Sequence, residues 1–240
     1  MKFHPDKCSI LRITRSKTPK IFKYKLHNHV LKEEKNSKYL GVTIDNNLCW
    51  NTHIDNVCKK GNSTLAFLRR NLQISQSHIK SNAYMTLVRP QLEYASAVWD
   101  PYTKEKQKQL EMVQRRAARY VCNDYDWEKS VTEMLHKLGW RSLLQRRADI
   151  RLCYLYRIVH GHVALDFSNE LVPQTRISRH THPLAFFIPA ETKLYIQQSF
   201  IPRTIVQWNN LPTQIAMSES LDVFKEGVST LTHLSSTFPH

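Results

Sequence analysis

The apolar residues of this 240-residue chain change period once, near Trp50, and that change separates what can form strands from what can form helices. Ahead of it, Ile10, Ile13 and Thr14, then Ile21, Phe22, Tyr24 and Leu26, are β-branched or aromatic, interleaved with bases and interrupted by Pro19. Alternation and an internal proline favour two short strands over a helix. His27-Asn28-His29 reads as a hairpin turn with Val30 and Leu31 on the return, Glu33 to Ser37 as loop, and Lys38 to Ile44 as the clearest strand, ended by Asp45-Asn46-Asn47.

Beyond Trp50 the spacing becomes helical. Ile54, Val57, Leu65 and Leu68 keep one face apolar. A second helix is expected from an N-cap at Ser77 to Val88, with Ala83, Tyr84, Leu87 and Val88 inward and Pro90 as its limit. After a turn at Trp99-Asp100-Pro101, the helix Lys104 to Val121 sets Leu110, Val113, Ala117, Tyr120 and Val121 on one side. Lys104, Lys108, Arg115 and Arg119 lie on the other. A further helix runs from Ser142 to His160, with Leu144, Leu152, Leu155 and Ile158 inward and Gly161 as its stop. From there Pro173, Pro183, Pro189, Pro202 and Pro212 punctuate the chain, and a short helix over Ser220 to Leu231 closes it. The expected fold is α+β and mainly helical. Its parts are an N-terminal β-hairpin/strand region (1–48), a helical domain (49–160) and an irregular, proline-punctuated C-terminal region with a short helix (161–240).

Charge narrows the partners. Lys+Arg 35 against Asp+Glu 20 gives a net +15, which attracts polyanions, nucleic acid first. The excess is uneven: +10 over residues 1–70, +6 over 71–160 and −1 over 161–240. Five widely spaced cysteines with no secretory apolar run over Met1 to Ile10 point to reduced thiols in a cytoplasmic or nuclear protein. No stretch approaches the roughly 18–20 apolar residues of a membrane span.

Catalytic signals are weak. Two-metal chemistry needs grouped carboxylates, and Asp45, Asp55, Glu93 and Asp100 stand apart. Asp124 and Asp126 form the only close pair, in a segment that reads as a capped turn. Three His-x-His pairs (His27/His29, His160/His162, His180/His182) lack companion ligands at metal spacing and read as surface histidines. No catalytic, cofactor-binding or metal-binding residue is therefore assigned. The candidate nucleic-acid contacts are basic residues on helices: Arg69 and Arg70, Arg115, Arg116 and Arg119, then Arg146, Arg147, Arg151 and Arg157. Paired arginines on successive helices suit phosphates in a groove-like array; the competing reading is solvated helix faces with i,i+4 partners. Acids within one turn are scarce, which favours phosphates.

The run Phe3-His4-Pro5-Asp6-Lys7-Cys8, followed by Ile10-Leu11-Arg12-Ile13, resembles the end of the palm in LINE-type non-LTR retrotransposon reverse transcriptases. Lys38-Tyr39-Leu40-Gly41-Val42-Thr43-Ile44 resembles that family's primer-grip hairpin. Trp50-Asn51-Thr52-His53-Ile54 and Phe67-Leu68-Arg69-Arg70-Asn71-Leu72 resemble the opening of its thumb, and Leu92 to Pro101 and Gln114-Arg115-Arg116-Ala117-Ala118-Arg119 its continuation. Pro202-Arg203-Thr204-Ile205 with Trp208-Asn209-Asn210-Leu211-Pro212 is similar to a region of the jockey and CR1-like clades.

The resemblance implies a thumb-like helical bundle over 49–160 and a piece of an RNA-directed DNA polymerase. Its partner would be an RNA, DNA or RNA–DNA duplex held by the backbone, with Lys38, Tyr39 and Gly41 at the primer end. The family's aromatic-Ala-Asp-Asp segment, which binds Mg2+, is expected ahead of Phe3 and is not in the sequence, nor are the fingers, the rest of the palm and the endonuclease. No polymerisation by this chain alone is expected. The same residues admit a stand-alone, sequence-nonspecific nucleic-acid-binding protein, or an inert product of a 5′-truncated element.

Overall fold

The computed structural model describes residues 4–14, 16–164, 166–175, 181–190 and 192–231. Phe3 and His180, and the side chain of Pro5, lie outside the described residues. The chain forms an α+β fold that is mainly helical, divided into two compact units: residues 1–92 with 103–113, and residues 93–102 with 114–240.

The first unit begins with three two-stranded pairings. β1 (Ser9–Leu11) runs parallel to β4 (Lys32–Glu34), with Ile10 opposite Glu33. β2 (Lys25–Leu26) and β3 (His29–Val30) are antiparallel, joined through His27 and Asn28 at φ 47° and 64°. That is the left-handed pair a two-residue turn requires, and asparagine tolerates it. β5 (Asn36–Tyr39) and β6 (Val42–Asp45) form a second hairpin. Two expectations change here. The segment Glu33 to Ser37 holds the end of β4 and the start of β5, parted by a bend at Lys35, rather than loop, and Lys38 to Ile44 is two strands folded at Leu40-Gly41 rather than one.

α1 (Asn51–Asn71) buries His53, Ile54, Cys58, Gly61, Leu65 and Leu68 along one face, while Val57 is half-buried. α2 (Ser77–Ala83) starts one residue earlier than expected, with Gln76 rather than Ser77 at the N-cap and no side-chain cap bond, and continues through a single π turn (Tyr84–Val88) into α3 (Arg89–Glu93). The wider i→i+5 turn carries the chain past Pro90, whose missing N–H and bulky ring would break an i→i−4 ladder. It also resets the phase. Lys80, Tyr84, Val88 and Leu92 are buried, while Leu87, expected inward, is exposed.

After α4 (Ser96–Trp99), α5 (Lys104–Cys122) gives its residues 104–113 to the first unit and 114–122 to the second. Its expected apolar line is buried throughout.

The second unit contains α6 (Val131–Lys137), which periodicity does not single out, and α7 (Leu143–Val159). Ser142 caps α7 with a full capping box, its hydroxyl accepting from Gln145 N and the Gln145 side chain accepting from Ser142 N. The C-terminal part is more ordered than its prolines suggest. It holds α8 (Leu194–Gln197), α9 (Phe200–Asn209), α10 (Thr213–Ala216) and α11 (Leu221–Thr230). Pro202 sits in the first turn of α9, where a missing N–H costs no intrahelical bond.

Leu152, Leu155, Tyr156, Phe186, Ile205, Trp208, Phe224 and Val228 form the core of this unit, with the rings of Tyr156 and Phe224 4.6 Å apart. Three polar side chains in and beside it find backbone partners. Trp208 Nε1 donates to Leu184 O, Tyr156 OH donates to Ser218 O, and the Asn209 amide both donates to and accepts from the Phe186 backbone. No helix among the described residues is long and apolar enough to cross a membrane.

Candidate nucleic-acid interface

The fold re-sorts the charge. The first unit carries 20 Lys/Arg against 7 Asp/Glu, a net +13; the second carries 15 against 13, a net +2. Almost the whole excess of the chain therefore belongs to the first unit.

Three of the ten candidate residues sit at the β5–β6 hairpin. Tyr39 pairs with Val42 and Lys38 with Thr43, so Leu40 and Gly41 form a two-residue turn, at φ 45° and 85°. Both torsions lie in the left-handed region, which glycine adopts freely and leucine does not. Lys38, Tyr39, Leu40 and Gly41 are all exposed. Gly41 is thus a turn residue and not a kink within a strand. Val42 is buried beneath the tip, and the Thr43 N–H donates to Nδ1 of the buried His53 at 3.1 Å, fastening the hairpin to α1. Burial lowers the pKa of His53, in keeping with a neutral ring that accepts this bond.

Arg69 and Arg70 are exposed in the last turn of α1, where cations complement the helix dipole. Lys59, not singled out from the sequence, is exposed eleven residues before Arg70. At about 100° per residue that spacing returns to the same face, roughly 16 Å along the axis. The eleven-residue phase was the signal available. Lys106 of this unit donates to Asp55 at 2.9 Å, and the Asp55 pKa is lowered first by Gln109 and then by Lys106.

The remaining five candidates belong to the second unit. Arg116 is exposed and Arg115 half-buried on α5. Arg119 is half-buried, and its guanidinium donates to the carbonyls of Asp126 and Lys129. It thereby closes a turn in which Asp124 accepts from Asp126 N and Asp126 from Glu128 N, the capping role expected of that acidic pair.

Arg147 and Arg151 are not a phosphate-binding surface. Both are almost fully buried and converge, with Arg203, on the buried carboxylate of Asp100. Arg147 Nε donates to Asp100 Oδ1 at 2.7 Å and Arg151 Nη2 donates to Gln207 Oε1 at 2.7 Å. Burial, reinforced by Arg203, lowers the Arg151 pKa; burial and Arg147 lower that of Arg203 to about 10. Arg146 makes a two-pronged pair with Glu93, and the Arg157 guanidinium lies over the Tyr154 ring at 5.8 Å. The arginines of α7 thus have carboxylate and aromatic partners, so the expected groove-like array on this helix does not form. The partners were hidden because Glu93 and Asp100 lie 53 and 47 residues away in sequence.

Among the described residues, no group of three or more His, Cys, Asp or Glu side chains could hold a metal ion. His182 is buried rather than a surface residue, its Nε2 2.8 Å from Trp208 O, while the His160 ring lies tilted against Tyr156 and the His162 ring meets it edge-on. Comparison with protein-family models, with curated proteins and with solved structures finds no match to this chain.

Proposed function

We propose that this chain is part of a jockey/CR1-like LINE-type reverse transcriptase, and that it holds a primer–template duplex by its phosphate backbone without polymerising on its own. The ordered motifs from Lys38 to Pro212 support the family, with β5–β6 in the role of primer grip and the helices over 49–160 as thumb. The observation that carries the binding reading is the net +13 of the first unit, together with the exposure of Lys38 at the hairpin tip and of Arg69 and Arg70 at the end of α1. Backbone recognition requires cations that reach phosphates and no readout of base edges. Lys38, Arg69 and Arg70 supply such cations, with Lys59 on the face of Arg70. Gly41 lets a strand approach the tip closely.

The test is fluorescence anisotropy of an RNA–DNA duplex titrated with the protein between about 50 and 200 mM salt. The expected plot of log K against log salt is steep, and its slope falls by about one for each phosphate contact removed in Lys38→Ala or Arg69→Ala/Arg70→Ala. Duplexes of unrelated sequence should bind alike. A flat plot, or a slope unchanged in the triple variant, would refute the reading.

A further inference from the structure

We propose that the cleft beside the α7–α11 contact is a binding site for a phosphate monoester, distinct from the duplex-binding surface of the first unit. The cleft measures about 380 Å³, within the roughly 300–1,000 Å³ typical of small-ligand sites. Four cations line it, Arg141, Arg146, Arg157 and Lys225, together with one carboxylate, Asp149. The second unit as a whole has a net charge of only +2, so a lining of +3 is a local concentration and not a share of a general surface excess.

Two of these cations are already engaged. Arg141 makes a two-pronged pair with Asp149, at 2.5 and 3.3 Å, and Arg146 pairs with Glu93. Desolvation raises the Asp149 pKa, outweighing the lowering effect of its Arg141 partner, as expected for a carboxylate set into the wall. That leaves Arg157 from α7 and Lys225 from α11. Arg157 is held over the Tyr154 ring, a contact that orients the guanidinium without neutralising it. Lys225 pairs with Asp222 at 2.9 Å, but the Asp222 side chain is 91% exposed, so water screens that pair.

Two cations from facing helices match the two negative charges of a monoester better than the single charge of a diester. Ile150 and the half-exposed ring of Tyr154 add an apolar wall suited to the organic part of the ligand. The monoester could be a free mononucleotide or the terminal phosphate of a strand, which present the same group.

Isothermal titration of the full chain with AMP, adenosine, and one short oligonucleotide in 5′-phosphorylated and 5′-hydroxyl forms tests the site. AMP should bind at least about tenfold more tightly than adenosine, and Arg157→Gln and Lys225→Gln should each weaken AMP about tenfold, the effect of losing one charge-assisted contact. Arg157→Lys should retain part of the affinity. A 5′-phosphorylated oligonucleotide that outbinds both AMP and its hydroxyl form identifies a strand end as the natural ligand; AMP outbinding it identifies a free nucleotide. The proposal is overturned if AMP binds no better than adenosine, or if Arg157→Gln/Lys225→Gln binds AMP as wild type does. Lys225 is exposed and Arg157 half-buried, and neither lies in the first unit. Failure here therefore leaves the duplex reading standing, and a flat salt plot for the duplex leaves this one standing.

Discussion

Asp100 holds three guanidiniums in the interior of the second unit, and Asp100→Asn measures what that arrangement is worth. The carboxylate is 2% exposed, and its partners Arg147, Arg151 and Arg203 are 0%, 2% and 6% exposed. Breaking a buried pair by removing one member costs on the order of 3–5 kcal/mol, because the other charge stays buried and uncompensated. Here asparagine retains the shape and one acceptor oxygen for Arg147 but leaves three cations with no countercharge in the cluster. The expected loss is therefore about 3–5 kcal/mol, a large fraction of the 5–15 kcal/mol that typically separates a folded domain from its unfolded chain.

The opposite change separates charge from packing. The cluster carries two more positive than negative charges, and Arg147 disfavours the charged form of Arg203. Arg203→Met keeps most of the volume, removes one surplus cation and should cost clearly less than Asp100→Asn. Urea denaturation followed by tryptophan fluorescence reads this unit, since Trp99, Trp127, Trp140 and Trp208 belong to it and only Trp50 to the other. If Asp100→Asn loses less than about 1 kcal/mol, or if Arg203→Met costs as much, then the cluster is not held by charge compensation and the reasoning fails.

Three further outcomes are expected. Leu40, exposed at the hairpin tip with φ 45°, bears a steric cost of about 1–2 kcal/mol that asparagine largely avoids, so Leu40→Asn should raise the thermal midpoint by a few degrees. A fall would show that the leucine side chain supports the turn. The lowered pKa of buried His53 means the folded state binds fewer protons than the unfolded one. Its contribution to stability is complete above the unfolded pKa of about 6.5 and is lost as pH falls through the lower folded value. Urea midpoints at about pH 7.5 and 5 should show that loss, and His53→Gln should remove its share of it. At Gly61, a Cβ would meet Leu92 Cδ2 at 3.0 Å and Val113 Cγ1 at 3.4 Å. Gly61→Val should cost about 1–3 kcal/mol by overpacking, whereas in Gly61→Ala the gain in helix propensity, about 1 kcal/mol, offsets a milder contact. Chemical denaturation of the two variants checks both.

What the sequence disclosed were the features set by neighbours along the chain. The start of α1, the ends of α5, α7 and α11 and the turn at His27-Asn28 follow from period and turn propensity, both local. What escaped depended on partners far away in sequence or on a departure from ideal helical phase. The π turn hid the passage past Pro90 and the exposure of Leu87, because a 3.6-residue period has no place for it. α9 was obscured by Pro202, which terminates a helix from its middle but not from its first turn. Arg147 and Arg151 were read as surface by residue type alone. Yet with Leu143 and Leu155 they complete a row four residues apart, all four buried, and that phase marked them as interior before any partner was known.

Placing those arginines inside changes what the net charge means. Over the sequence, the excess spreads across the first two thirds and invites a single basic track along successive helices. In the fold, the second unit pairs Arg147, Arg151 and Arg203 with Asp100, Arg146 with Glu93 and Arg141 with Asp149 and has a net charge of only +2, while residues 1–92 with 103–113 carry a net +13. Counterion release depends on cations that meet phosphates, so the salt slope of duplex binding should be a property of the first unit. It should fall with Lys38, Arg69 and Arg70 and hold when Arg147 or Arg151 is replaced, even though those replacements unsettle the fold. A slope that instead followed Arg147 and Arg151 at fixed folded fraction would mean that the interior cluster opens to nucleic acid, contrary to its burial.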